Sequence, residues 1–192
     1  MPMKVLGLAG SARRGGNTET LLDWCLGAAR DAGAVVVKYS LCDLDLHGCR
    51  ACDACRHTGV CIQKDDMELL YPHLRTVDSI VIASPIYFYG VTAQAKALID
   101  RAQALWSRKY ILQKKGEWRE NTDRLGFFVS VAATKGEKVF DGAVLTVKYF
   151  YDAIGFGYGG ALLVKGIDKR GEMAKDGDKL SQAEEFGRRI VS

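Results

Sequence analysis

The chain has 192 residues, 48% hydrophobic and 26% charged, a balance that excludes a disordered or collagen-like chain and fits one globular domain over residues 1–192. The 27 basic and 23 acidic residues leave a net charge of +4. That excess is spread along the chain, without the clustered basic face of a nucleic-acid binder. No apolar run nears the roughly 18 residues of a membrane span, so no membrane association is expected and the cytoplasm is the expected location.

The first apolar run, Lys4–Ala9, is apolar on both faces, as a strand covered on both sides must be. The N-terminus therefore reads as a strand and not as a signal peptide, which needs a longer apolar stretch and a cleavage site. Turn formers follow over residues 10–18. Leu21, Leu22, Cys25, Leu26 and Ala29 then recur at helix spacing, closed by Gly33. Residues 34–41 (AVVVKYSL) form a second strand, and 42–64 a loop rich in cysteine. Asp65 and Glu68 open a helix that runs to about Thr76.

Residues 79–84 (SIVIAS) make a third strand, ended by Pro85. Val91, Ala95, Leu98, Ala102 and Leu105 predict a helix over 91–106, and 107–124 is expected to be a polar, irregular excursion. Residues 125–132 (LGFFVSVA) give a fourth strand. Phe140, Val144, Val147, Tyr151 and Ile154 mark another helix. Residues 161–164 give a short fifth strand, and Leu180 to Ile190 a last helix. Strands alternating with helices imply a parallel sheet with helices on both faces. Five of them fit the flavodoxin-like α/β doubly wound order 2-1-3-4-5, whose ligands bind beyond the carboxyl ends of the strands.

The loop after the first strand, Gly10-Ser-Ala-Arg-Arg-Gly-Gly-Asn-Thr18, leads straight into a helix. Small residues let backbone N–H groups converge on an anion, and the helix dipole favours it. Ser11, Asn17 and Thr18 add donors and Arg13 or Arg14 adds charge. Gly16-Asn17 stands where a Walker A loop has Lys-Ser/Thr, so the phosphate of FMN fits better than a magnesium nucleotide. An ordinary glycine-rich turn capped by Asn17 is the alternative. After the third strand, Ser84-Pro-Ile-Tyr-Phe-Tyr-Gly90 sets three aromatics around a turn. They suit a flat, amphipathic flavin ring, or else a core or an interface.

Gly10-Ser11-x-Arg13, Asn17-Thr18, Ser84-Pro85-x-Tyr87 and the later Lys96, Asp100 and Arg101 together resemble the NAD(P)H-dependent FMN reductase and flavodoxin-like superfamily. The resemblance implies phosphate contacts from Ser11, Arg13, Asn17 and Thr18. It implies flavin-ring contacts from Pro85, Ile86, Tyr87, Phe88 and Gly90, and further contacts from Thr134 and Gly136 after the fourth strand. Lys135 beside them carries a charge suited to an anionic flavin.

Cys49, Cys52, Cys55 and Cys61 fall within thirteen residues. In a reducing compartment such crowding points to metal or redox chemistry, not to structural disulfides. A C-x2-C-x2-C run wraps three thiolates around one corner, which suits a cubane cluster. Structural zinc, a redox disulfide and metal-free thiols are the alternatives. Cys25, on an apolar helix stripe, reads as a buried hydrophobe, and Cys42 is distant from the run.

A compact cysteine insertion after the second strand, followed by Asp65-Asp66-Met67, resembles the iron-sulfur flavoproteins. That resemblance implies one [4Fe-4S] cluster and one FMN per chain, a homodimer or homotetramer, and electrons from a ferredoxin-like donor for a small-molecule acceptor. NAD(P)H is the other candidate donor. An FMN or quinone reductase without a cluster is the alternative, and a flavodoxin-like electron carrier the third. No catalytic acid–base or nucleophile set is present; such electron transfer needs none from the protein.

Overall fold

The structure, a computed structural model, describes residues 2–192. Its strands are β1 (Lys4–Ala9), β2 (Val35–Ser40), β3 (Ser79–Pro85), β4 (Leu125–Ala132) and β5 (Gly157–Lys165). They form one sheet, every pairing parallel, in the order β2-β1-β3-β4-β5. The order of strands is therefore the flavodoxin-like one that the alternating pattern implies.

Among the described residues seven α-helices accompany the sheet: α1 (Asn17–Asp31), α2 (Cys55–Thr58), α3 (Met67–Thr76), α4 (Ala93–Arg101), α5 (Gln103–Lys114), α6 (Asp141–Ile154) and α7 (Gly177–Arg189). Strand side chains alternate between two apolar layers. Val5 and Ala9 join Leu21, Leu22, Cys25 and Leu26 of α1 and Phe186 of α7 on one face. Leu6 and Leu8 join Leu70, Leu98, Val147 and Phe150 on the other. Cys25 is the buried hydrophobe expected of it, and burial pushes its thiol up to about 12.

Two elements differ from the expectation. The helix over 91–106 is broken at Ala102 into α4 and α5, and α5 continues to Lys114, so the first half of 107–124 is helical. Trp106 and Tyr110, four residues apart on α5, stack with centroids 4.6 Å apart. The fifth strand starts at Gly157 and not at 161. Among the described residues no helix is long and apolar enough to cross a membrane.

Candidate functional site: two adjoining loops at the carboxyl edge of the sheet

The carboxyl ends of β1, β3 and β4 are tied by a small set of buried polar groups. The Gly10 N–H donates to the Ala83 carbonyl at 2.7 Å. The Thr92 hydroxyl donates to the Gly10 carbonyl at 2.6 Å and accepts the Ala95 N–H at 3.3 Å, capping α4. The Thr92 N–H donates to the Ser84 hydroxyl at 3.0 Å, and the Ser130 hydroxyl to the Ser84 carbonyl at 2.7 Å. Ser84, Thr92 and Ser130 are fully buried. Hydrogen bonds of this kind, all satisfied and all buried, fix the loops that leave these strands.

Ser11 is buried just beyond β1, and its hydroxyl accepts the Arg13 N–H at 3.1 Å. Gly16, not Asn17, caps α1, and it offers no side chain to the first-turn N–H groups. Those donors stand at the positive end of the helix dipole, where an anion is favoured. Ser11, Arg13, Gly16, Asn17 and Thr18 line one side of a cleft of about 120 Å³; Pro85, Ile86 and Tyr87 line the other. Asn17 also ties α1 to the segment after β5. Its side-chain amide donates to the Lys169 carbonyl at 2.9 Å, and its oxygen accepts the Met173 N–H at 3.2 Å. Ile167 and Asp168, beyond β5, complete the cleft wall; their segment carries no motif that marks it in the sequence.

The loop after β3 is a tight turn. Tyr87 and Gly90 exchange two backbone hydrogen bonds, of 3.0 and 2.9 Å, which leaves Phe88 and Tyr89 at its tip with φ of 49° and 63°. Positive φ at both central residues is a glycine or asparagine preference, and here two aromatics adopt it. Phe88 is completely exposed, and Tyr87 and Tyr89 are about half exposed. Of the expected ring contacts, Pro85, Ile86 and Tyr87 reach the cleft, while Phe88, Gly90, Thr134 and Gly136 do not line it. Thr134 and Gly136 lie in the exposed loop after β4, whose Ala133 does line the cleft.

The cysteine segment folds as a compact loop on the outside of α4 and α5. Cys49, Cys52, Cys55 and Cys61 all line one small pocket of about 40 Å³, whose floor is Arg101, Gln103 and Ala104. Cys42 lies apart, its sulfur near Asp43. Ala51 and Asp53, between the first three cysteines, have φ of 50° and 57°, so the backbone of the run is kinked twice in the left-handed region. α2 ends at Gly59 (φ 69°), where a Cβ would meet the Arg108 Cβ of α5 at 2.8 Å, so the loop lies hard against that helix. The Ser107 hydroxyl of α5 approaches the Cys55 sulfur at 3.8 Å.

Burial by itself raises the Cys61 thiol, but the Gln63 backbone N–H, Arg101 and the Tyr71 hydroxyl outweigh it and hold the thiol below its ordinary value. The donor set, four soft thiols with a buried cation at one side, has the chemistry of an iron–sulfur site. Among the described residues no three His, Cys, Asp or Glu side chains are gathered as ligands to a single metal ion. His47 points to Asp45 and Asp65, at 3.6 and 3.7 Å.

A flavodoxin-like sheet with its cleft at the switch point, and loops of this composition around it, defines the class of FMN-dependent oxidoreductases. The chain belongs to the NADPH-dependent FMN reductase family, whose model matches residues 3–145. It is similar to an iron-sulfur flavoprotein of Methanosarcina thermophila, 34% identical over 113 residues, 59% of this chain and 59% of that protein. It is also similar to an iron-sulfur flavoprotein of Methanocaldococcus jannaschii, 39% identical over 103 residues, 54% of this chain and 53% of that protein. These matches span little more than half of the relatives' own length. Among solved structures, an NAD(P)H:quinone oxidoreductase from Methanothermobacter marburgensis superposes with a TM-score of 0.69 over 98% of both chains at 13% identity. A flavone reductase gives 0.70 at 18% identity, covering 98% of this chain and 62% of the other. At such identities the likeness is one of fold.

Proposed function

We propose that the chain is a single-domain redox flavoprotein that holds FMN in the cleft between the loops after β1 and β3 and a [4Fe-4S] cluster on Cys49, Cys52, Cys55 and Cys61. The observation that carries the cluster is that all four cysteines line one pocket beside a buried guanidinium. FMN is supported by family membership and by the start of α1, without a side-chain cap, lining the same cleft as Ser11.

When bound, the cluster handles single electrons and the flavin one or two, so the pair links a one-electron donor to a two-electron acceptor. The protein's own part is binding and orientation. First-turn N–H groups of α1 and the Ser11 and Thr18 hydroxyls hold the phosphate. Pro85, Ile86 and Tyr87 present a flat apolar wall with backbone groups at its edge, which excludes water from one side of the ring. The donor is a ferredoxin-like protein or NAD(P)H, the acceptor a small molecule, and the setting a reducing cytoplasm where free thiols persist. An oligomer, dimer or tetramer, is supported by exposed Phe88 and Tyr89 and by Leu145 and Tyr149, one turn apart on α6. That helix's Gly142 lies close against the Tyr89 carbonyl.

A cluster-free NAD(P)H-dependent FMN or quinone reductase is the second reading. It is favoured by the family match over residues 3–145, which calls for FMN and by itself for no cluster. The deciding experiment is anaerobic purification with iron, sulfide and FMN assays on the wild type and on Cys52→Ala/Cys55→Ala. About four irons and four sulfides per wild-type chain, lost in the variant with FMN retained, is the expected result. FMN without iron in the wild type leaves the second reading standing.

A further inference from the structure

Arg101 is the last residue of α4 and is 1% exposed, at the floor of the cysteine pocket. A buried guanidinium needs partners for all its N–H groups. Nη1 donates to the His47 carbonyl at 2.9 Å and to the Asp65 carboxylate. Nη2 donates to Asp65 Oδ1 at 3.0 Å and to the Gln63 carbonyl at 3.4 Å. The Asp65 side chain is as deeply buried, 1% exposed. The backbone groups that Arg101 grips lie before the first cysteine and after the last, so one side chain closes the loop at both ends. The remaining donor, Nε–H, is buried and has no partner. Cys61 lines the same pocket as Arg101, and the Tyr71 hydroxyl donates to the Arg101 carbonyl at 3.0 Å.

We propose that Arg101 is a positioning residue for the cluster: its Nη groups clamp the two ends of the cysteine loop through His47, Gln63 and Asp65, and its spare Nε–H is reserved for the sulfur of Cys61 in the loaded protein. This role rests on the cluster reading of the four cysteines. A cationic donor on a ligand sulfur withdraws electron density and raises the reduction potential of the centre it belongs to. Only arginine serves both ends. Its planar fork meets the carboxylate through two nitrogens while a third stays free, whereas a lysine ammonium is a single point of charge.

The test uses the full chain, reconstituted anaerobically, reduced, and labelled with arginine carrying 15N in the guanidinium. Pulsed EPR is expected to show a 15N coupling to the cluster in the wild type and none in Arg101→Lys. That variant keeps the positive charge and loses the fork, and its iron and sulfide content is assayed beside the spectrum. Its midpoint potential is expected to move to more negative values, and a chelator to strip its iron about tenfold faster. A coupling that survives in Arg101→Lys, or a potential and release rate equal to the wild type's, overturns the proposal. If the variant does not fold, labelled Arg50→Lys decides, because Arg50 also lines the pocket: a coupling that persists there supports the proposal and its absence overturns it. A wild type without iron removes the cluster reading and this inference together, whereas iron without coupling removes this inference alone.

Discussion

The phosphate loop and the cysteine loop follow neighbouring strands of one sheet, β1 and β2, yet they are held by different forces. The root of the first is fastened by neutral groups inside the sheet's frame, the Ser84, Thr92 and Ser130 hydroxyls and the Gly10 backbone. Its charged contacts, Glu19 accepting the Gly15 N–H at 2.7 Å and Arg170 donating to the Arg14 carbonyl at 2.8 Å, lie at the exposed surface. Its geometry is nearly a consequence of the fold. The second leaves the sheet, and its ends are gathered by one buried ion pair, Arg101 with Asp65. A neutral network loses one member at modest cost, whereas a buried pair that loses one partner leaves a bare charge in an apolar setting. The flavin cleft is therefore expected to tolerate single substitutions that the cysteine pocket does not.

Asp65→Ala is the strongest way to break this contrast. It strips the carboxylate from a guanidinium that stays buried and removes an acceptor from the backbone N–H groups of His47 and Met67. A loss of about 3–5 kcal/mol is expected, read as a lower denaturant midpoint. The exposed pair Lys64–Glu68, which begins one residue before Asp65 and spans four residues, is the control; Glu68→Ala is expected to cost well under about 1 kcal/mol. Equal losses in the two variants would remove the distinction between the loops. Next in size is Ser11→Ala, which deletes the hydroxyl that accepts the Arg13 N–H at the wall of the cleft and that the proposed function assigns to the FMN phosphate. FMN affinity is expected to fall about tenfold or more, since a hydrogen bond to a charged group contributes about 1.5–3 kcal/mol. The melting temperature of the apoprotein is expected to stay within a few degrees, because the rest of the network is intact. A large drop in stability with unchanged FMN affinity would show that Ser11 serves the fold and not the ligand.

The same contrast explains what could be read from residues alone. The apolar runs of β1, β3 and β4 match the strands within one residue, because a buried parallel strand is continuous apolar chain. β5 was legible only in its second half. Gly157, Gly159 and Gly160 carry no apolar signal, yet Gly159 belongs in the strand because a Cβ there would lie 2.5 Å from the Phe127 ring. The cysteine spacing announced a site, and its four members do share one pocket. The floor of that pocket, Arg101, Gln103 and Ala104, falls within the helix expected over 91–106; what did not show is the continuation of α5 to Lys114, in a stretch that reads as polar excursion and whose helix carries the Trp106–Tyr110 stack. The partnership of Arg101 with Asp65 spans 36 residues, and no local pattern encodes it. Asn17 offered a capping residue by type, but its side chain is drawn across to the loop after β5, a long-range contact that propensity does not contain.

The smallest expected effect concerns the aromatic turn, and it sharpens the comparison from the flavin side. Phe88 sits at φ 49° with its ring fully in solvent, so the isolated chain gains no burial from it. A non-glycine residue held in the left-handed region costs on the order of 1–2 kcal/mol; glycine relieves that while adding freedom to the unfolded chain worth about 0.4–1 kcal/mol. Phe88→Gly is therefore expected to leave the dilute monomer unchanged or raise its melting temperature by up to about 2–4 °C. Backbone strain kept at an exposed aromatic tip is characteristic of functional positions. If the ring is covered by a second copy of the chain, the sign reverses at high protein concentration: the variant melts lower than the wild type and sediments as a smaller species. A melting curve measured at two concentrations separates a turn strained for the flavin's sake from one strained to present Phe88 to a partner.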